Sequence, residues 1–471
     1  MTSLFWHDYE TWGASPALDR PVQFAGVRTN LDLEIIDDPV NIMCRPSDDF
    51  IPHPEACLIT GLTPQQALSE GLPERDFIAK VYEQLAEPGT CGVGYNSIRF
   101  DDEVTRYSLW RNFYDPYERE YKNGNSRWDI IDMVRLTYAL RPEGIEWPMV
   151  DGVPSFKLEN IAAANHFEHE NAHDALSDVY ATIALAKRIK TLQPKLFDYL
   201  FTLRDKREAA SHIDIGNSTP LVHVSAMFPA SRGCTALVVP LANHPTNKNS
   251  IICFDLSADP TPLFQLSAEQ IQEKLYTKTE DLPEDEERLA LKEVHLNKSP
   301  VLATAKLLTP EHASRLQIDL DLCRQHWKQI HRHNLGPKLQ QVYASREFAK
   351  PREEEAALYD GFVSAKDKQK MAQVRTSNGE DLAAAALSFD DPRLNPLLFR
   401  YRARNFPETL TEAEHHQWQE YRYQRLTEPR PGLVTLEELH EKIFSLQESE
   451  QLTPAQMQVL DSLSEYADAV V

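Results

Sequence analysis

The spacing of hydrophobic and polar positions divides the chain into three zones. In residues 1–195, short aromatic and β-branched runs alternate with segments whose apolar residues recur every three or four positions, a pattern typical of α/β folds. Predicted strands include LFWHDYE, QFAGVRT and CGVGYNS, and predicted helices include DFIAKVYEQLAE and ALSDVYATIALAKRIKTL. We expect the chemistry of the protein to lie in this first zone.

The two later zones have simpler patterns. Residues 196–348 carry short strands separated by Pro, Asn and Gly turns, among them LVHVSAMF, TALVVPL, SIICFDL and EVHLNKSPVLAT, with helices near 310–345. This zone predicts a small β-barrel or sandwich with helical additions. Residues 352–471 follow the charged segment AKPREEE and have helical patterns throughout, from EAALYDGFV to PAQMQVLDSLSEYADAVV. They predict a helical bundle.

Composition and charge exclude several classes of protein. The 471 residues include 72 acidic and 49 basic side chains, a formal net charge of −23, which argues against coating nucleic acid through bulk positive charge. Six cysteines without a C-x-x-C pair predict small buried hydrophobic residues, and neither a zinc site nor disulfides. With no secretory signal and no apolar run long enough to span a bilayer, the sequence predicts a cytoplasmic protein with no membrane partner.

Three acidic motifs in the first zone carry candidate chemistry. Asp8 and Glu10 end the first predicted strand, where alternation places both carboxylates on one face. The acids at 101–103 open a predicted helix, a place that the helix dipole also favours for acids. His173 precedes Asp178 by five residues at the head of another helix. Each motif alone is common, as a polar strand end, a first helical turn or a chance pair, and only their combination in this order indicates a site.

In this order the motifs resemble the DEDD superfamily of 3′-to-5′ exonucleases, histidine variety. Segments in all three zones, including HDYETWG, GYNSIRFDDEVTR, YALRPEGIEWP, NAHDALSDVYATIA and FRYRARNFPETL, resemble the bacterial exodeoxyribonuclease I family. The resemblance implies a ribonuclease H-like exonuclease domain over 1–195, an SH3-like β-barrel domain with helical additions over 196–348 and an all-α domain over 352–471. The implied activity is processive 3′-to-5′ degradation of single-stranded DNA to 5′-mononucleotides, in repair and recombination.

The resemblance also assigns roles in catalysis. It implies that His173 is the general base and that four carboxylates bind metal: Asp8, Glu10, Asp101 and Asp178. Spacing alone leaves Asp102 as an alternative to Asp101, and Asp174 could share a helix face with Asp178. Converging carboxylates repel one another, so the cluster requires cations. Two Mg²⁺ ions, which prefer hard oxygen ligands, are the expected cofactors, with Mn²⁺ as a substitute.

A locally basic stretch provides candidate contacts to DNA. Residues 106–141 hold seven basic and five acidic side chains with eight interleaved aromatics, suited to stacking bases and holding phosphates. By resemblance, Glu10 also touches the substrate, and the further contacts to single-stranded DNA are Arg106, Tyr117, Tyr121, Arg135 and Lys157. Phe100, beside the acids at 101–103, is a candidate wedge at the terminal base.

The remaining expectations concern partners. The resemblance implies a monomer that binds single-stranded DNA with a free 3′ end and the acidic C-terminal tail of single-strand-binding protein, with Arg141 and Tyr199 at the tail site. The segment LATAKLLTPEH departs from the polar and basic residues expected there. RYRARN (400–405) is equally compatible with a DNA contact and with packing between helices. Alternative functions are an RNA-directed exonuclease of the same superfamily, a noncatalytic DNA-end adaptor and a metal-dependent phosphomonoesterase, although the last does not explain the aromatic and arginine stretch.

Overall fold

The computed structural model describes residues 2–167, 174–278, 281, 283, 288–344, 353–449 and 452–470. The chain divides into two compact units. The first unit comprises Met1–Ser126, Glu168–Thr182 and Ala349–Val471, and the second comprises Arg127–Phe167 and Ile183–Phe348. The first unit therefore combines sequence from both ends of the chain.

A β-sheet organises the first unit. Four of its strands lie wholly in that unit: β1 (Ser3–Thr11), β2 (Pro21–Thr29), β3 (Val40–Met43) and β4 (Thr90–Gly94). Their order is β3-β2-β1-β4, with β1 antiparallel to β2 and parallel to β4. Every residue of β2 is buried, which agrees with the largely apolar run predicted as a strand.

Four helices flank these strands in the sequence. They are α1 (Pro54–Thr60), α2 (Pro64–Glu70), α3 (Glu74–Ala86) and α4 (Asp101–Arg111). Phe24 of β2, Phe77 of α3 and Leu109 of α4 belong to one buried core, which joins the sheet to both helices. This core fixes the start of α4 relative to the end of β1, where the acidic motifs lie.

The chain then passes into the second unit and builds a separate sheet. The elements from residue 126 to residue 211 are β5 (Ser126–Asp129), α5 (Ile131–Leu140), β6 (Met149–Val150), β7 (Val153–Pro154), α6 (Leu158–Ala164), α7 (Ala175–Leu192), α8 (Pro194–Thr202) and α9 (Lys206–Ser211). Those that follow are β8 (Leu221–Val224), β9 (Thr235–Asn243), β10 (Ser250–Asp255), α10 (Thr261–Gln265), α11 (Ala268–Tyr276), β11 (Leu291–His295), β12 (Leu302–Thr304), α12 (Pro310–Arg315), α13 (Leu320–Ile330) and α14 (Gly336–Ala344). The later strands form an antiparallel sheet in the order β11-β10-β9-β8-β12. Helix α7 begins in the first unit and ends in the second.

The C-terminal part of the first unit is helical. Its helices are α15 (Ala365–Thr376), α16 (Gly379–Ala384), α17 (Leu394–Asn405), α18 (Glu412–Thr427), α19 (Leu436–Ser449) and α20 (Pro454–Ala469). Leu439 and Leu463 share a buried core with Trp12, and Leu397 shares another with Trp110. Both cores therefore combine side chains from the two ends of the sequence.

The fold predicted from the pattern of the chain is confirmed, with local corrections. Strands β1, β2, β4, β8, β9, β10, β11 and β12 fall within or beside the predicted runs. The helix predicted over EAALYDGFV is wrong: only a 3₁₀ turn, Ala357–Asp360, forms there. The Arg393 guanidinium donates hydrogen bonds to the carbonyl oxygens of Ala357 and Gly361, at 2.6 and 3.0 Å, which holds the segment in a loop.

Two simpler expectations can be compared with the structure. All six cysteines are free and buried, as their spacing predicted. Among the described residues, no helix is both long enough and apolar enough to cross a membrane.

Candidate active site

The alternation of β1 separates two acidic side chains from the core. Tyr9 packs against Phe24 at a centroid distance of 4.8 Å, whereas Asp8 and Glu10 point to the other face and remain partly exposed. Asp8 lies opposite Ala25 on β2, and Glu10 lies opposite Gln23. The predicted strand and its paired carboxylates are therefore present.

Asp178 on the first turn of α7 joins this pair. One carboxylate oxygen from each of Asp8, Glu10 and Asp178 lies within 4.8 Å of the other two. The alternative candidate, Asp174, has a different role, because its Oδ2 accepts a hydrogen bond from the backbone N–H of Ser177 at 3.2 Å, as a helix cap does.

Asp174 also anchors the start of α7 to the sheet. The side-chain amide of Gln23 on β2 donates to Asp174 Oδ1 at 2.9 Å, and Gln23 is the strand partner of Glu10. The cap therefore fixes the helix that carries Asp178 beside the strand that pairs with β1.

The first residue of α4 reaches the same place. Asp101 Oδ1 accepts a hydrogen bond from the backbone N–H of Tyr9 at 3.1 Å, midway between the two acids of β1. Pairing between β1 and β4 ends at Trp6, so a side chain replaces the strand partner at Tyr9. The neighbour Asp102 instead forms a buried ion pair with Arg119 at 2.5 Å. The contacts of Asp101 and Asp102 therefore differ, which distinguishes two adjacent aspartates that sequence spacing alone could not distinguish.

The electrostatics of the cluster differ from those of ordinary surface acids. Burial, followed by the negative charges of Asp101, Asp178 and Glu10, holds the pKa of Asp8 well above its usual range. Burial and the same kind of repulsion raise the pKa of Glu10 to about 8. Divalent cations would relieve this repulsion, and the donor set is made of the carboxylate oxygens that hard cations prefer. The residues present therefore fit a metal centre.

A large cavity opens beside Glu10. It has a volume of about 620 Å³, and its lining includes Tyr9, Glu10, His53 and Phe100. His53 Nε2 lies 3.2 Å from Asp19 Oδ1, so an imidazole and a carboxylate are paired in the wall.

Close packing at Gly13 shapes this wall. A methyl group at Gly13 would lie 2.3 Å from Asp19 Oδ2, so the glycine allows the loop to approach the pair of Asp19 and His53. Sequence reasoning missed these three residues. The available signal was the glycine in HDYETWG.

The predicted general base, His173, lies outside the described residues. Asp174, the next residue in the sequence, is described and caps α7. The role of His173 stays a prediction.

Three of the predicted DNA contacts lie in the first unit. The Arg106 guanidinium is buried and bonded to Glu120 at 2.7 and 2.8 Å and to Glu103 at 2.7 Å, which raises its pKa. Its charge is therefore balanced by two carboxylates. Tyr117 is half-buried beneath Arg106, at 5.3 Å from the ring centroid to the guanidinium carbon. Tyr121 is 62% exposed and presents a ring to solvent. Their contacts to DNA stay predictions.

The other predicted contacts lie in the second unit. Arg135 Nη1 bonds Asp132 at 2.7 Å, and the Lys157 side chain is largely exposed, 3.4 Å from Glu159. Arg141 Nη1 donates to the carbonyl oxygen of Leu140 at 2.5 Å. The Tyr199 hydroxyl donates to the carbonyl oxygen of Leu302 at 2.6 Å, and burial raises its pKa. No contact among these residues tests the roles predicted for them.

The RYRARN segment contributes ion pairs within the first unit. Its arginines lie on α17 and each has a carboxylate partner: Arg400 with Glu354 at 2.7 Å, Arg402 with Glu414 at 2.6 Å, and Arg404 with Asp49 at 2.6 Å and Glu355 at 2.7 Å. Of the two interpretations left open by the sequence, these contacts favour packing.

The fold and the carboxylate cluster define an exonuclease of the metal-dependent class. Residues 5–186 match the exonuclease family, residues 204–345 match the exonuclease I SH3-like domain, and residues 352–470 match the exonuclease I C-terminal domain.

Full-length relatives identify the family. The chain is 47% identical over 458 residues to exodeoxyribonuclease I of Haemophilus influenzae, covering 95% of this chain and 97% of the relative. It is 48% identical over 431 residues to exodeoxyribonuclease I of Escherichia coli, covering 91% and 90%. The chain belongs to the exodeoxyribonuclease I family, and it is an exodeoxyribonuclease.

Solved structures agree with this assignment over the whole chain. Exonuclease I from Methylocaldum szegediense superposes with a TM-score of 0.95 at 49% identity, covering 100% of both chains. E. coli exonuclease I in complex with a dA16 oligonucleotide gives 0.95 at 45% identity, with the same coverage. The zinc-ion-bound complex of the E. coli protein with single-stranded DNA also gives 0.95 at 45% identity, covering 100% of both chains.

Proposed function

We propose that this exodeoxyribonuclease degrades single-stranded DNA processively from its 3′ end and releases 5′-mononucleotides. The observation that carries the proposal is the cluster of Asp8, Glu10 and Asp178, whose carboxylate oxygens lie within 4.8 Å of one another. The relatives are solved with DNA oligonucleotides, which supports single-stranded DNA as the substrate.

The cofactor that suits this cluster is a pair of Mg²⁺ ions, with Mn²⁺ as a substitute. Asp8, Glu10, Asp101 and Asp178 would hold them. Divalent cations in such a site stabilise the negative charge on the attacking and leaving oxygens of an in-line displacement at phosphorus. Zinc is bound in a relative, which supports a divalent ion without selecting Mg²⁺.

The chain's own residues would supply the proton transfer and the positioning. His173 would accept the proton of the attacking water, since an imidazole with an ordinary pKa near 6.5 can do so near neutral pH. Asp101 would hold the end of β1 in place through the Tyr9 N–H. The 3′-oxygen of the shortened strand would leave, and the released nucleotide would keep its 5′-phosphate.

The cavity beside Glu10 is the proposed position of the 3′-terminal nucleotide. Its volume of about 620 Å³ has room for a nucleoside, and Glu10 would touch both metal and substrate. Phe100 in the wall would act as a wedge at the terminal base. Farther along the strand, the proposed contacts are the rings of Tyr117 and Tyr121 and the side chains of Arg106, Arg135 and Lys157.

The acidic C-terminal tail of single-strand-binding protein is the proposed protein partner. A solved structure of single-strand-binding protein and exonuclease I in complex with an inhibitor superposes on this chain with a TM-score of 0.92 at 43% identity. Arg141 would pair with the tail's carboxylates, and Tyr199 would pack beside them. In a fluorescence-anisotropy titration with a labelled acidic tail peptide, we expect Arg141→Ala to weaken binding about tenfold and the exposed control Arg188→Ala to leave it unchanged. Equal binding by both variants would remove the assignment.

The cellular setting follows from the proposed activity. We propose a cytoplasmic monomer that acts in DNA repair and recombination. Size-exclusion chromatography with light scattering tests the monomer, and a mass of twice 53.9 kDa would contradict it.

One assay separates this function from its alternatives. Wild-type protein with Mg²⁺ is given 5′-labelled single-stranded DNA, duplex DNA and single-stranded RNA, with excess unlabelled DNA as a trap. We expect stepwise shortening from the 3′ end of single-stranded DNA, with bound strands degraded fully despite the trap. Preference for RNA would favour an RNA-directed exonuclease, and binding without cleavage would favour an end adaptor.

A further inference from the structure

A second cavity in the first unit is lined by arginines and lies apart from the carboxylate cluster. It has a volume of about 110 Å³ and is bordered by the last turn of α4 and by α17. Four arginines line it, together with a single carboxylate, that of Glu74: Arg20, Arg45, Arg111 and Arg404. None of the four predicted metal ligands belongs to this lining.

Three buried polar atoms at this cavity lack hydrogen-bond partners. They are Arg20 Nε, Arg111 Nη1 and Ser47 Oγ. Arg20 and Arg111 are each only 3% exposed, so bulk water does not reach these groups freely. The Arg20 Nε is 3.9 Å from the Glu74 carboxylate, which is beyond hydrogen-bond distance. Buried donors are normally satisfied, so three at one cavity indicate a missing acceptor.

The charge of the lining points in the same direction. Arg111 bonds Glu74 at 2.7 Å, and Arg404 bonds Asp49 at 2.6 Å and Glu355 at 2.7 Å. Arg20 also pairs with Glu355. Arg425 also pairs with Asp49, at 3.7 Å, so Arg20, Arg111, Arg404 and Arg425 face three carboxylates and leave an excess of one positive charge. Burial, followed by the nearby charge of Arg20, lowers the pKa of Arg111, although Glu74 and Glu355 act in the opposite direction.

We propose that this cavity binds a small tetrahedral oxyanion of the phosphate class. The two arginine groups can only donate hydrogen bonds, and the serine hydroxyl can donate a third, so the ligand that matches them is one that accepts. Water could donate to Glu74 or Ser47, but it would leave the positive charge uncompensated. The volume accommodates an oxyanion but not a nucleoside.

The position of the cavity gives the anion a structural consequence. Arg111 ends α4, the helix that begins with Asp101, and Arg404 lies on α17 in the C-terminal helical part of the same unit. An anion held by both sides would tie these helices together. The protein should therefore be more stable when the anion is bound.

Thermal unfolding of the full chain tests the proposal. The assay is run in EDTA, so that phosphate cannot act through metal at the carboxylate cluster. Sodium phosphate and sodium sulfate are titrated against sodium chloride of equal ionic strength. We expect phosphate and sulfate to raise Tm saturably by about 1 to 3 °C above the chloride control. An equal response to chloride would overturn the proposal.

Variants at Ser47 link the response to this cavity, since its side chain donates to no other group in the described structure. Ser47→Ala should weaken phosphate binding about tenfold in the titration. Ser47→Asp, which supplies a carboxylate in place of the anion, should abolish the phosphate response, whereas Ser69→Asp on the exposed face of α2 should keep it. A full phosphate response in Ser47→Asp would contradict the proposal.

The same titration with dAMP distinguishes two sources of the anion. A rise in Tm with phosphate but not dAMP identifies free oxyanion as the ligand. A rise with both, lost in Ser47→Asp for both, shows that the 5′-phosphate of a nucleotide also enters. A rise with dAMP alone would overturn the proposal, because phosphate itself would then have no site.

Discussion

Two groups of acidic side chains in the first unit have pKa values that are shifted in opposite directions. At the end of β1, burial and mutual repulsion raise the pKa of Asp8 and Glu10. At Asp49 and Glu355, which are more deeply buried, the pKa is lowered. Burial alone therefore does not decide the protonation of a carboxyl group, and its partners do.

The two groups of carboxylates differ in the side chains that surround them. Arg404 bonds both Asp49 and Glu355, and Arg20 pairs with Glu355, so each negative charge is met by protein. Such a cluster is complete in itself and holds elements together. The carboxylates of Asp8, Glu10 and Asp178 face one another instead, and divalent cations would relieve the repulsion among them. Converging carboxylates of this kind suit the proposed metal centre, because hard cations prefer carboxylate oxygens.

The largest expected effect is on catalysis. We expect Asp8→Asn to lower the rate of DNA hydrolysis in Mg²⁺ by roughly 10³-fold or more, because it removes a carboxylate proposed to hold the cations. The measurement is single-turnover cleavage of 5′-labelled single-stranded DNA. The Tm of the variant in EDTA should equal or exceed that of wild type, since repulsion with Glu10 and Asp101 is relieved. Wild-type activity in this variant would contradict the proposed role.

The next effect is on stability and concerns the arginine-paired cluster. Glu355→Gln removes the buried carboxylate that Arg20 pairs with and one of the two that Arg404 pairs with, so we expect a loss of about 3 to 5 kcal/mol in the free energy of unfolding. The adjacent variant Glu354→Gln is the control, because its side chain is 33% exposed and, within the described part of the chain, pairs only with Arg400. It should cost at most about 1 kcal/mol. Urea denaturation measures the free energy of unfolding of both variants. Equal losses of stability would show that the buried ion pairs of Glu355 stabilise the fold no more than the partly exposed pair of Glu354 does.

The two clusters should also respond oppositely to pH. For the metal-free protein, Glu10 keeps its proton up to about pH 8 when folded but loses it near its ordinary value when unfolded. The folded state then binds more protons, so stability falls as pH rises from about 5 to 8. Glu355 has a lowered pKa, and its contribution is present at neutral pH and lost as pH falls below about 4.

Tm measured in EDTA from pH 3 to pH 9 checks this pair of slopes. Glu10→Gln should reduce the fall of Tm between about pH 5 and pH 8. In wild type, replacing EDTA by Mg²⁺ should reverse that fall. An alkaline slope that Glu10→Gln leaves unchanged would place its origin elsewhere.

The smallest expected effect is that of a change at Asp174, which lies one helical turn before Asp178. Asp178→Asn should lose activity as Asp8→Asn does, whereas Asp174→Asn should change activity less than about tenfold, because asparagine caps a helix as well as aspartate. The same cleavage assay compares them. Equal losses would mean that Asp174 has a role beyond its cap.

Much of the fold was predictable because strong periodic patterns coincide with the observed elements. The run ALSDVYATIALAKRIKTL is α7 residue for residue, and LFWHDYE lies within β1. Helix α15 lies in the zone predicted to be helical throughout, but it was not singled out because Met371 and Val374 are its only buried apolar side chains among many charged residues. The predicted helix near residue 360 failed because Arg393, distant in sequence, takes the carbonyl oxygens of that segment.

The site was predictable only in part. Alternation along β1 placed Asp8 and Glu10 on one face, but the choice of Asp101 over Asp102 depends on Arg119, whose approach no local pattern shows. The same limit applies to the pair of His53 and Asp19, which tertiary packing brings together. Charge counts along the chain also did not reveal that the arginines of RYRARN are balanced by carboxylates up to 355 positions away.

The most direct test of the account is a calorimetric titration of Mg²⁺ into metal-free protein, wild type against Asp8→Asn. The account predicts saturable binding to wild type with a stoichiometry of two ions, and loss of at least one of them in the variant. Identical Mg²⁺ binding by the two proteins would contradict the central claim that the carboxylates of β1 and α7 form the metal centre.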